Sequence, residues 1–118
     1  MMNKIKMKVI VDRVEAAGGL APCTLGELRE IANRGRLGPG VLEEVTRQLD
    51  GYGMEFYPYP DEPLRQSDEV RVIKRSSPVG QLVLSVLRPS TNGDARLLEA
   101  AEGANAEIVS QIRTLVCR

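Results

Sequence analysis

The chain has 118 residues, 42% hydrophobic but only 3% aromatic, which suffices for one core of Leu, Val, Ile and Ala and is too short for two well-packed ones. Basic and acidic residues balance at 16 each and histidine is absent, so the chain is no polycation and offers no imidazole for general-base work or metal ligation. Cys23 and Cys117 lie far apart in sequence, and no apolar run approaches the ~20 residues needed to span a bilayer.

The N-terminal stretch admits two readings. Ile5, Met7, Val9 and Val11 alternate with other residues as in a half-buried strand, while Met7, Ile10, Val11, Val14 and Ala17 form an equally good helical stripe. Gly18-Gly19 ends either element, and Leu20-Ala21-Pro22-Cys23 reads as a short extended lead-in. Lys4, Lys6 and Lys8 interrupt the apolar residues, unlike the core of a signal peptide, so the expectation is a reduced, cytoplasmic protein.

Thr24 followed three residues later by Glu27 fits a capping box, which starts a helix. Leu25, Leu28, Ile31 and Ala32 share one face of it. Arg34-Gly35-Arg36-Leu37-Gly38-Pro39-Gly40 cannot continue the helix, because glycine favours turns and proline removes an amide donor. Val41, Leu42, Val45 and Leu49 mark a second helical face, stopped at Gly51-Tyr52-Gly53 by a left-handed turn. Met54-Glu55-Phe56-Tyr57 and Val70-Arg71-Val72-Ile73-Lys74-Arg75 have strand patterning, with a proline-rich polar loop between them.

Ser77 and Pro78 suit the cap and first position of another helix, whose face is Val79, Leu82, Val83, Val86 and Leu87 and which ends before Pro89. Ser90-Thr91-Asn92-Gly93 reads as a turn and Asp94 as the cap of a last helix. Along it Leu97, Ala101, Ala104, Ile108, Ile112 and Leu115 recur at helical spacing.

This order of elements resembles the winged helix-turn-helix superfamily. The resemblance is carried by residues 24–32 as positioning helix, residues 41–49 as recognition helix and residues 53–75 as a wing hairpin, and it covers about two-thirds of the chain. It implies an α+β fold: three helices plus a β-hairpin wing over residues 1–76, followed by two additional helices over residues 77–118. A core closed by three helices takes residues 4–17 as the first of them.

What the resemblance implies for function is duplex DNA binding, as a small transcriptional regulator or accessory factor without a cofactor. Arg34 and Arg36 in the turn, Thr46, Arg47 and Gln48 on the second helix, and Arg71, Lys74 and Arg75 on the wing are the candidate DNA contacts, as phosphate clamps or base readers. The same residues also suit a solvated turn, an ordinary helix surface and a charged edge strand. Residues 24–58 carry four basic and six acidic groups, which favours the alternative of a protein–protein adaptor or inhibitor. The C-terminal stripe of Leu97, Ala101, Ala104, Ile108, Ile112 and Leu115 needs a partner, and a homodimer supplies one. Tyr57 and Tyr59 are expected to pack on Pro58 and Pro60. No phosphate loop, nucleophile elbow or carboxylate cluster points to an enzyme.

Overall fold

The structure, a computed structural model, describes residues 3–32 and 37–116, with side chains as far as residue 103. The described residues form five helices and a three-stranded antiparallel sheet, an α+β architecture. The chain divides between Gly80 and Gln81 into two compact units.

In the first unit, α1 (Lys4–Ala16) is helical rather than extended. Met7, Ile10 and Val14 are buried while Ile5 is 77% and Val9 49% exposed, so burial follows the helical stripe and not the alternation. The Asn3 side chain caps the helix by accepting from Lys6 N at 3.1 Å. After Gly18 and Gly19, both at positive φ, the chain enters β1 (Leu20–Thr24).

The lead-in of the sequence reading is therefore a true strand. It pairs with β3 (Glu69–Lys74) from Leu20↔Ile73 to Thr24↔Glu69, with Ala21 and Cys23 buried. Pro22 disguises it, because proline lacks a ladder donor; a position on an edge strand makes that tolerable. β2 (Met54–Tyr57) pairs with the other side of β3, which puts β3 in the middle, with Val70 and Val72 buried.

Between β1 and β2 lie α2 (Leu25–Ala32) and α3 (Pro39–Asp50). The capping box forms: Thr24 N donates to Glu27 Oε1 at 3.0 Å and Glu27 N donates to Thr24 Oγ1 at 3.2 Å. Helix α3 starts two residues before the first apolar position, since Pro39 occupies its first turn and Gly38 O accepts from Val41 N and Leu42 N. Gly51 continues in right-handed geometry, and the left-handed residue of that stop is Gly53, at φ 70°. Leu25, Leu28, Leu42, Val45, Leu49, Met54 and Val72 are all 1% exposed or less, so both helices and the sheet share one core with α1.

Helix α4 (Pro78–Leu87) begins at the foreseen cap, where Ser77 Oγ accepts from Gly80 N at 2.9 Å. Helix α5 (Thr91–Val116) begins earlier than expected. Ser90 is its cap: Ser90 Oγ accepts from Gly93 N at 2.9 Å and Ser90 O from Asp94 N at 2.8 Å. Residues 91–93 are thus helical, and Asp94 favours the first turn through its charge rather than as a cap. Among the described residues no helix is long and apolar enough to cross a membrane.

Candidate nucleic-acid interface

Helix α3 presents Glu43, Thr46, Arg47 and Asp50 to solvent, with Gln48 half-buried at the margin. This face exists because Val41, Leu42, Val45 and Leu49 turn inward. Thr46 Oγ1 donates to Leu42 O at 2.8 Å, which leaves the hydroxyl lone pairs outward as acceptors. The Arg47 side chain makes no hydrogen bond or ion pair among the described residues, so its guanidinium is available to a ligand. Glu43 stands one turn before it and Asp50 about one turn after it, and the face alternates acid, base, acid.

The three cations of the hairpin behave differently from one another. Arg71 is exposed on β3 and pairs with Glu69 at 3.2 Å, a surface contact that a phosphate can displace. Lys74 reaches Glu15 of α1 at 3.3 Å, while its backbone N donates to Gly19 O. Arg75 lies just past the end of β3 and points into the α3–β2 turn. Its Nη2 reaches Asp50 Oδ1 at 2.7 Å and Asp50 O at 3.3 Å, and its Nη1 reaches Met54 O at 3.1 Å and Glu55 Oε1 at 3.5 Å. That side chain staples the end of α3 to β2. In sequence Arg75 groups with Arg71 and Lys74, because spacing alone does not reveal its four acceptors.

Arg34 and Arg36 lie outside the described residues. So do the side chains of Ala104, Ile108, Ile112 and Leu115, while Leu97 is half-buried and Ala101 exposed.

The loop between β2 and β3 folds back onto the start of α2. Leu25 N donates to Asp68 O at 2.9 Å and Gly26 N to Gln66 O at 3.0 Å, so two amides that an anion would need are already occupied. A Cβ on Gly26 would come within 3.2 Å of Gln66 O, which explains a glycine in the first helical turn. Further along the hairpin, Asp61 and Glu62 are exposed. Tyr59 stacks on Phe56 with ring centroids 5.5 Å apart, and Tyr57 is 48% exposed.

One polar network escaped the sequence reading. Arg13 of α1 donates through Nη1 to Pro22 O at 3.3 Å and through Nη2 to Glu27 Oε2, tying α1, β1 and α2 together. A cleft of about 350 Å³ opens beside it, lined by Arg13, Pro22, Cys23, Thr24, Glu27 and Glu69. The hydrogen bond from Arg13, reinforced by the Thr24 amide, holds the Glu27 carboxyl down at about 2 against the opposing effect of burial. The Arg13 guanidinium is raised by the same hydrogen bond. Burial, and then the Glu27 charge, push the Cys23 thiol up to about 12. Arg13 and Glu27 therefore satisfy each other, Glu69 pairs outside the cleft with Arg71, and the thiol is unreactive. Arg13 carried no periodic signal; only the capping box at Glu27 was visible in advance. Among the described residues no group of three or more His, Cys, Asp or Glu side chains is placed to hold a metal ion.

Comparison of the chain with protein-family models, with curated proteins and with solved structures finds no match.

Proposed function

We propose that the first unit is a winged-helix domain that binds duplex DNA through α3, and that the C-terminal helices join two copies into a dimer acting as a small transcriptional regulator or accessory factor in the cytoplasm. The observation that carries this reading is the order α1-β1-α2-α3-β2-β3 with β1 paired to β3, which leaves the polar face of α3 exposed and the Arg47 side chain without a partner among the described residues. A helix so presented fits the major groove, where Arg47 and Gln48 have the donor geometry for guanine and adenine edges. Arg71 is the hairpin residue suited to a phosphate. Lys74 and Arg75 serve the fold first.

A second reading, a protein–protein adaptor or inhibitor, is favoured by one specific observation: the acids beside Arg47 on α3 and the exposed Asp61 and Glu62 on the hairpin loop. Such a surface suits a basic protein better than a phosphate backbone.

Fluorescence anisotropy with mixed-sequence duplex at about 50 and 200 mM salt separates the two. DNA binding predicts affinity that falls steeply between them. Arg47→Ala then weakens specific binding by about 1–3 kcal/mol, and Arg71→Ala flattens the salt slope by about one. Arg75→Ala lowers the melting temperature and leaves the slope unchanged. Absence of any binding at the lower salt overturns the DNA reading. Light scattering at twice the 13.0 kDa chain mass is expected for the dimer.

A further inference from the structure

We propose that the exposed face of α3 reads G·C base pairs in the major groove, with Arg47 on a guanine and Glu43 on a cytosine one or two base-pair steps away. The inference rests on the DNA-binding reading above and adds the bases recognised. The outward face of α3 consists of Pro39, Gly40, Glu43, Thr46, Arg47 and Asp50. Asp50 is already engaged, since Arg75 Nη2 donates to its Oδ1 at 2.7 Å. Glu43 and Arg47 stand four residues apart, a spacing at which acid and base commonly pair along a helix. Yet neither side chain makes a hydrogen bond or ion pair among the described residues. In the first turn only Pro39 and Gly40 lie on this face, so no long side chain there holds the helix away from a base edge.

Each side chain left on the face has a single hydrogen-bonding character. Arg47 only donates, and the Glu43 carboxylate only accepts. Thr46 between them gives its hydroxyl proton to Leu42 O, so toward a ligand it only accepts as well.

In the major groove guanine shows two acceptors, O6 and N7, which suits Arg47. Cytosine shows the N4 amino donor with no acceptor beside it, whereas adenine sets its N6 donor next to N7, whose lone pair repels a carboxylate. Guanine and thymine offer Glu43 acceptors alone. A carboxylate at this position therefore singles out cytosine. Four residues of helix rise about 6 Å and base pairs stack about 3.4 Å apart, so the two contacts fall one or two steps from each other. Glu43 also repels phosphates, which weakens binding to every duplex that lacks the cytosine. Its charge thus lowers general affinity and raises discrimination.

The test is selection of duplexes from a randomised pool by the full chain, followed by anisotropy on the selected duplex at about 50 mM salt. The parent is expected to enrich a guanine and a cytosine one or two steps apart, and replacing that cytosine by adenine should weaken binding about 5- to 150-fold. Glu43→Gln, whose amide both donates and accepts, is expected to select adenine in place of the cytosine and to keep the guanine. Arg47→Ala is expected to lose the guanine and keep the cytosine. Duplex binding by the parent without preference for cytosine over adenine overturns the base assignment and leaves DNA binding standing, and this measurement decides the matter even where a variant fails to fold. Selection of the same cytosine by Glu43→Gln also overturns the assignment. A parent that neither enriches nor binds any duplex overturns both this proposal and the DNA-binding reading.

Discussion

Glu27 is where local and tertiary structure meet most clearly, and its removal has a magnitude that can be worked out. Glu27→Ala takes the acceptor from the Thr24 amide and the carboxylate from Arg13. Loss of a capping contact costs about 1 kcal/mol. Loss of the ion pair adds about 0.5 kcal/mol, because both side chains are 35% exposed and solvent screens them. The expected destabilisation is therefore about 1.5 kcal/mol at neutral pH, measured by urea unfolding followed by circular dichroism.

Glu27→Gln keeps an acceptor for the cap and removes only the charge, so about 0.5 kcal/mol should be lost. The sign of the pH dependence follows from the direction of the shift. The folded carboxyl sits at about 2, below its ordinary 4.5, so its contribution is complete above pH 4.5 and disappears as pH falls through 2. The gap between the parent and Glu27→Gln should be constant from pH 5 to 8 and narrow steadily below about 4.5. A double-mutant cycle with Arg13→Ala should return a coupling of about 0.5 kcal/mol. A gap indifferent to acid, together with zero coupling, would show that Arg13 and Glu27 do not act on each other in solution.

Three further outcomes are expected. Gly80→Ala should destabilise the first unit by about 1–3 kcal/mol in the same unfolding assay, because its Cβ would fall 2.0 Å from Lys74 O, an atom of the backbone. Gly40→Ala meets nothing within 4 Å in the first turn of α3 and should be neutral or stabilising by up to about 1 kcal/mol. Cys23, 2% exposed and with its thiol pushed up to about 12, should stay unlabelled by iodoacetamide at pH 8 in the native chain and react once the chain is unfolded in urea, as read by peptide mass mapping.

The sequence by itself determined the elements whose cause is local. A capping box, the Ser77-Pro78 start and the three- and four-residue apolar spacing each act within a turn or two, so α2, α3 and α4 were legible within two residues. Of the hairpin strands, β2 was legible from alternation and β3 from its β-branched residues. Only tertiary structure decided what depends on chain segments far apart. Whether residues 4–16 bury a stripe or an alternate face depended on the core they meet. Pro22 could join a strand because β3 lies on one side of it and, among the described residues, no strand on the other. Arg75 belongs to the α3–β2 turn because acceptors from Asp50, Met54 and Glu55 converge there, twenty or more residues earlier in the chain. Likewise Arg13 meets Glu27 only once α1 lies beside β1. Short-range hydrogen bonding and helical periodicity are written in neighbouring residues. The fate of a long cationic side chain depends on which distant carboxylates and carbonyls the fold carries within its reach.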